Sequence, residues 1–208
     1  MTDSTPIIGI LLAAGQGSRY RAAQPNQSKL LALLPTGKTV LESSCAALQP
    51  VVDKLIVVVH PERNPFQQVP PPAASHVLLS PESSQGMGAS LASAATYVQA
   101  HYNKAHLLVA LADMPWIQHS TYLALRQALS NHAVVAPVFE QQRGHPVGFR
   151  TDLVAELTQL SGDQGAKALI KKYGAHLIAV TDPAVVWDVD HPADLTRYYS
   201  MARETLRT

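Results

Sequence analysis

Cysteine is almost missing from this chain. The one thiol, Cys45, in 208 residues excludes an intramolecular disulfide and any cysteine-rich zinc site. It lies in VLESSCAAL, whose apolar spacing is helical, so a buried and inert thiol is expected. An excess of charge is also missing: 16 basic and 15 acidic residues leave a formal net charge of +1. That balance argues against a nucleic-acid binder held by long-range charge, though it allows a local basic pocket. The apolar run from Ile7 to Ala14 is too short to cross a bilayer. It lacks the basic lead of a secretory signal, since Asp3 is the only charged residue before it, so a cytoplasmic protein without a membrane anchor is expected.

The content that remains, 47% hydrophobic and 15% charged, suits one globular domain over residues 1–208. Continuous apolar runs at 7–13 and 54–59 predict strands buried on both faces. Between them TVLESSCAAL (39–48) predicts a helix with Thr39 as its N-cap. A proline-rich surface connection (61–75) leads to a short strand at 76–80 and a helix at 86–102. HLLVALADMPW (106–116) predicts a strand ending in an aspartate and a proline, and 120–131 a helix with a serine cap. Strands at 133–139 and 146–149 flank EQQRGH, which suits a hairpin or crossover near a site. A short helix near 152–160, the loop 161–165, a helix over 166–173, strands in HLIAVT and VVWDVD and a terminal helix from about Pro192 complete the chain. Strands alternating with helices predict an α/β fold with a sheet parallel at its core.

Two nucleotide-binding motifs can be tested and both fail. The dinucleotide fingerprint needs a third glycine and an acid about 20 residues on. Gly15 and Gly17 fit, but Tyr20 takes the third position and the second strand ends in Val59-His60. TGKT (36–39) matches the end of a phosphate-binding P-loop, yet Ala32 stands where that motif needs glycine, and no strand feeds it. What remains is a strand, a turn built on Gly15 and Gly17, then Ser18, Arg19 and, after an interval, Lys29. Such a turn lets backbone amides approach phosphate oxygens, and two cations can take up triphosphate charge.

The segment LLAAGQGSRY…SKLLALLPTGKTVLESSCAAL resembles the opening signature of the MobA-like nucleotidyltransferases, most of all the molybdenum cofactor cytidylyltransferases. The likeness continues in GMGASL (86–91), ALADMPWI (110–117), RGHPVGF (143–149), SGDQGAKALI (161–170) and WDVDHPADL (187–195), in the family's order and across nearly the whole chain. It implies a three-layer α/β/α fold with a mostly parallel, Rossmann-like sheet of the nucleotide-diphospho-sugar transferase type. It also implies a reaction that moves a nucleoside monophosphate from a triphosphate onto an acceptor phosphate and releases pyrophosphate. That acceptor is largely ionised near neutral pH, so no general base is required.

By the same resemblance, Leu12, Ala13, Ala14, Gly15, Gly17, Ser18, Ser80, Gly86 and Ser90 would bind the nucleotide, while Arg19 and Lys29 would hold the phosphates and stabilise the departing pyrophosphate. Asp113 would be catalytic, as first ligand of a Mg²⁺ ion, and Asp190 the second ligand, with Asp188 competing because strand alternation puts both acids on one face. Arg143, His145, Asp163 and Gly165 would face a molybdopterin-type acceptor, with Lys167 on the same loop and His145 as a hydrogen-bonding group. The other histidines have no metal-ligand spacing. A side chain at Ala14, in LAAG, narrows the base pocket and points to CTP.

One departure from the family is the polar insertion YRAAQPNQS (20–28), which separates Arg19 from Lys29 and is expected to bulge outward as a flexible lid. Arg21 would partly substitute if Lys29 no longer reached the phosphates. A molybdoenzyme or its maturation factor is the expected protein partner. The competing readings are a transferase acting on a phosphosugar or phospho-alcohol, and a carrier that binds nucleotide or finished cofactor without catalysis.

Overall fold

The computed structural model of the chain describes residues 5–196 and 199. Its centre is an eight-stranded sheet with helices on both faces. The strands are β1 (Ile7–Leu12), β2 (Lys54–Val59), β3 (Ser75–Leu79), β4 (His106–Leu111), β5 (Val134–Phe139), β6 (Gln142–Arg143), β7 (Val147–Phe149) and β8 (His176–Ala179). Their order is β3-β2-β1-β4-β7-β5-β6, with β8 paired to β5. The left half and the β5–β8 pair are parallel, while β7 runs antiparallel to both β4 and β5. The expected three-layer, mostly parallel architecture is therefore present.

Alternation along each strand sorts the apolar residues onto two faces. Leu11, Leu55, Val57, Val59, Leu108 and Ala110 face one core, packed against α2 (Val40–Leu48) and α4 (His119–Leu129). Ile8, Ile10, Ile56, Val58, Leu107 and Val109 face the other, against α3 (Met87–His101), α5 (Val154–Leu157) and α6 (Lys167–Tyr173). Both faces are dry because both are covered, which is why these strands appear in sequence as unbroken apolar runs.

Local rules account for the helix starts. Thr39 caps α2 through a reciprocal box: its hydroxyl accepts from the Glu42 amide, while the Glu42 carboxylate accepts from the Thr39 amide at 2.7 Å. Those bonds hold the Glu42 carboxyl below its ordinary range. Cys45 is buried in α2, and burial pushes its thiol up to about 12, so it is inert as expected. TGKT forms the tight turn ahead of Thr39, with Gly37 at φ 79°.

Four expectations are corrected. The insertion does not simply bulge outward, because Ser18–Ala23 forms a short helix, α1, that plants Tyr20 in the core at 2% exposure. Only residues 21–28 remain exposed. VVWDVD is not a strand: Pro183–Val186 make a 3-10 turn that buries Ala184 and Val185, and the extended residues after it join no ladder. The helix expected from Pro192 begins as a 3-10 turn, Pro192–Thr196, and its continuation lies outside the described residues apart from Tyr199.

The fourth correction concerns α4, which starts after Gln118 rather than at a serine cap. Its capping carboxylate comes from Asp182, buried at 1% exposure, which accepts from the Gln118 amide and the Thr121 hydroxyl, both at 2.8 Å. The other Asp182 oxygen accepts from the Ala184 amide at 3.1 Å. EQQRGH resolves as the β5–β6 hairpin, with Glu140 and Gln141 both at positive φ, the backbone of a two-residue hairpin turn. Among the described residues no helix is long and apolar enough to cross a membrane.

Replacing Asp182 by alanine removes three hydrogen bonds to a charged acceptor and leaves buried donors unpaired. Chemical denaturation of Asp182→Ala is expected to show a loss of about 2–4 kcal/mol, and of Thr39→Ala about 1 kcal/mol.

Candidate active site

The carboxyl ends of β1, β2 and β4 open on the same edge of the sheet. Because β1 lies between β2 and β4, the chain leaves it in opposite directions at this edge, where open α/β sheets form their ligand crevice. A cleft of about 440 Å³ occupies the spot. Its floor is Leu12 to Ser18, the residues in which the sequence placed the nucleotide loop, and Lys29, Gly86, Ser90 and Asp113 complete the walls. Gly17 has φ 60°, a left-handed conformation that ends the loop and begins α1.

The opposite wall depends on two glycines of α3's first turn. At Gly86, with φ 119°, an added Cβ would lie 2.1 Å from the Asp163 carboxylate and 2.7 Å from the Gly162 backbone. At Gly88 it would lie 2.6 Å from the Ser161 carbonyl, and the Gly88 amide donates to the Gly162 carbonyl at 2.7 Å. Missing side chains thus admit the loop 161–163, and Asp163, expected on the acceptor side, lines the same cleft as the Leu12–Ser18 loop. Gly165, expected on the acceptor side, lies outside the cleft lining under Met87, and Lys167 is exposed at the start of α6. Ser80 does not line the cleft either: it is fully buried, its hydroxyl 2.8 Å from that of Ser93. Ser83, Ser84, Gln16 and Met87 line the cleft without having been singled out from the sequence. The two serines could have been found from the run SPESSQGMG, which ends at the cleft's glycine wall.

At the mouth of the cleft three charged segments meet. Asp113 follows β4 in a turn, and its carbonyl accepts from the Val189 amide at 2.8 Å, which brings the segment 188–190 alongside. Lys29, whose side chain is 12% exposed, donates to Asp113 at 2.6 Å and to Asp190 at 3.5 Å. Burial opposes its charge, but Asp113, Asp190 and Asp188 more than offset that and hold the ammonium above its ordinary pKa. Arg19, at the start of α1 with its side chain 69% exposed, pairs with Asp190. Among the described residues Asp188 makes no such pair, and desolvation together with the Asp190 and Asp113 charges raises its pKa. Lys29 therefore still reaches the site despite the insertion. Arg21 lies on the far side of the loop, outside this cleft.

Of the residues expected to face the acceptor, Arg143 is exposed on β6 and His145 is half-buried after it, and neither lines the cleft. The His145 amide donates to the Val185 carbonyl at 2.8 Å, and its Nδ1 is buried with no hydrogen-bond partner. Burial lowers its pKa to about 4, against the pull of Asp113 and with the help of Arg143, so the ring is neutral at pH 7.

The donor set at the mouth suits a hard divalent cation, since Asp113 and Asp190 present carboxylate oxygens to one shared ammonium. Among the described residues no cluster of three or more histidine, cysteine, aspartate or glutamate side chains makes a closed site. Such a pair leaves coordination positions for substrate phosphates, the usual arrangement for Mg²⁺.

Residues 9–177 match the model of the MobA-like NTP transferase domain, so the chain belongs to that family. Two curated relatives are 2-C-methyl-D-erythritol 4-phosphate cytidylyltransferases of Aliivibrio fischeri strains. One is 34% identical over 124 residues, covering 58% of this chain and 50% of the relative, and the other is 31% identical over 122 residues, covering 58% and 49%. The chain thus spans about half the length of the curated relatives it matches. Among solved structures, Rv0371c of Mycobacterium tuberculosis superposes with TM-score 0.79 at 23% identity, covering 95% of this chain and 98% of that one. A second structure of Rv0371c is a complex with manganese (TM-score 0.76, 23% identity, 93% and 97% coverage). A nucleotidyl transferase from Methanothermobacter superposes with TM-score 0.77 at 21% identity, covering 96% and 99%. These structural likenesses establish the shared fold.

Two outcomes follow from the charges. Lys29 competes with a cation for the two carboxylates, so Lys29→Met is expected to bind Mn²⁺ about tenfold more tightly in the absence of nucleotide, measured by electron paramagnetic resonance titration. His145 has a folded pKa below its unfolded value of about 6.5, so the unfolded chain takes up the proton first. Stability is expected to fall as pH drops from about 6.5 to about 4, and His145→Asn should flatten that part of the profile in thermal melts.

Proposed function

We propose that the chain transfers CMP from CTP to a phosphate group on an acceptor, with Mg²⁺, releasing pyrophosphate. The observation that carries this reading is the placement of Lys29 between Asp113 and Asp190 at the mouth of a glycine-walled cleft. In that arrangement the amides of Ala13 to Ser18 face the nucleotide, and Lys29 and Arg19 exchange their carboxylate partners for phosphate oxygens. Asp113 and Asp190 would hold the metal ion, which supplies charge neutralisation at the bridging and leaving oxygens.

An acceptor phosphate oxygen attacks the α-phosphorus, the bond from that phosphorus to the bridging oxygen breaks, and pyrophosphate leaves with the electron pair. The protein's work is alignment and charge stabilisation, so no base need remove a proton from the attacking phosphate. Neutral His145 suits a hydrogen-bonding role toward the acceptor, with Arg143 offering it a cation from the exposed hairpin.

The acceptor we infer from the blocks RGHPVGF and SGDQGAKALI is a molybdopterin-type cofactor, whose product would pass to a molybdoenzyme or its maturation factor in the cytoplasm. A second reading, transfer to a phospho-alcohol or phosphosugar, is favoured by the names of the two Aliivibrio relatives. Cytosine suits both readings: Ala14 brings a side chain to the cleft wall, and the relatives are described as cytidylyltransferases.

A labelled-transfer assay decides between them by pairing each of the four triphosphates with molybdopterin cofactor and with 2-C-methyl-D-erythritol 4-phosphate. Pyrophosphate release is expected with CTP, dependent on both acceptor and divalent cation. Asp113→Ala and Lys29→Ala are each expected to lower kcat about 10²–10³-fold. Full activity in Asp113→Ala would remove the metal assignment, and tight CTP binding without pyrophosphate release in the presence of either acceptor would establish a carrier.

A further inference from the structure

Behind the glycine loop lies a second cleft, of about 300 Å³. The loop Ala13–Gly17 is a wall common to both clefts, while the far walls here are the insertion at 25–28 and the segment 62–68 after β2. Two 3-10 turns shape that segment, Pro61–Arg63 and Pro65–Gln67. They are fixed by side chains: His60 Nδ1 accepts from the Glu62 amide at 3.2 Å, and Asn64 Oδ1 from the Phe66 amide at 2.9 Å. Arg63 is thus carried into the cleft by a built turn.

The guanidinium of Arg63 is in an unusual state. Its Nε and Nη2 are buried and have no hydrogen-bond partner. A guanidinium has only donors and keeps its proton, so it cannot relieve burial by neutralising itself, as a lysine or histidine does. Arg63 as a whole is half-buried, but donors closed off from water in this way need an acceptor, and for a cation an anion is the best one. Among the described residues none is supplied: Glu62 is the one carboxylate of those lining the cleft, its side chain makes no ion pair with Arg63, and Arg21 adds a second cation at the exposed rim. Asn26 and Gln27 line the same space with neutral amide groups.

We propose that this cleft is an anion-binding site for a phosphate-type oxyanion, with Arg63 as the forked anchor and Arg21 as the second charge. Lys29 lines the cleft as well but is paired with Asp113 and Asp190, so Arg63 and Arg21 are the two lining cations without an ion pair among the described residues. Two such cations match a dianion better than a monocarboxylate, and the planar fork of Arg63 matches two oxygens of one phosphate. The ligand could reach it as free orthophosphate or as diphosphate leaving the neighbouring cleft across the shared loop. The loop, Lys29 and Leu30 line both clefts, but Arg63 and Arg21 line this one alone, so the assignment stands whether or not the neighbouring cleft transfers a nucleotide.

Equilibrium dialysis of the full chain against labelled orthophosphate, and separately against pyrophosphate, tests the assignment without divalent cation or nucleotide. Arg63→Gln is expected to weaken orthophosphate binding about tenfold or more, Arg63→Lys to recover only part of it, and Arg21→Gln to weaken it about threefold. Arg19→Gln, which alters the other cleft, should leave orthophosphate affinity unchanged. If Arg63→Gln melts early, the exposed Arg21→Gln carries the test. Pyrophosphate binding tighter than orthophosphate in the wild-type chain, and lost in Arg63→Gln, identifies the diphosphate as the ligand; equal affinities identify free phosphate. Equal binding in wild type, Arg63→Gln and Arg21→Gln, loss confined to Arg19→Gln, or no binding of either anion overturns the proposal.

Discussion

The contact of Lys29 with both Asp113 and Asp190 ties together segments 84 and 161 residues apart in the chain. Without that ammonium, two carboxylates and the neighbouring Asp188 would share one small region, where desolvation, together with the Asp190 and Asp113 charges, already raises the pKa of Asp188. On the proposed reading, a nucleotide triphosphate with a divalent ion would bring a cation for the carboxylates and anions for Lys29 and Arg19. The pattern of opposite neighbours would be preserved while every partner changed, so little of the site would have to be rebuilt.

That contact is possible because packing, rather than sheet pairing, positions the last of its three segments. Asp113 stands one residue past Ala112, whose amide donates to the Leu12 carbonyl at the end of β1. Leu30, beside Lys29, is buried and anchors the 3-10 turn Lys29–Leu31. The stretch carrying Asp190 is held by buried Ala184, Val185 and Val189, by the Asp182 bonds to the start of α4, and by the Val189 amide on the Asp113 carbonyl. The Val185 carbonyl also accepts from the His145 amide, so the end of the β5–β6 hairpin and the second carboxylate hang on one short piece of backbone. A change in the core beneath Val185 would thus reach both sides of the site.

Much of this was legible before the structure. Unbroken apolar runs located β1, β2 and β4, and the Thr39-to-Glu42 spacing located the start of α2, because these signals are local. VVWDVD misled because a run of β-branched residues has the same pattern whether it pairs in a sheet or is buried in extended coil. The cap of α4 was invisible since its carboxylate comes from Asp182, 64 residues beyond Gln118. Tyr20 was hidden in a polar stretch whose composition suggested a surface loop. Motif order grouped Asp163 with the acceptor residues, but its place follows from what Gly86 and Gly88 lack, and no spacing rule reports the space left by a missing side chain. The orphaned state of Arg63 is likewise a property of its surroundings alone.

The distribution of charge along the main cleft sets a direction. Asp163 stands at the Gly86 end, and Lys29 with Arg19 at the other. A carboxylate beside Gly86 repels phosphates and accepts from hydroxyl or amino groups, so that end suits a nucleoside and disfavours a triphosphate tail. The cationic end does the reverse. A nucleotide entering backwards would set its phosphates against Asp163 and leave Asp113 and Asp190 with no phosphate to share a cation. On the proposed reading, an acid at that end would discriminate between two orientations of one ligand, using a penalty at one end as well as an attraction at the other.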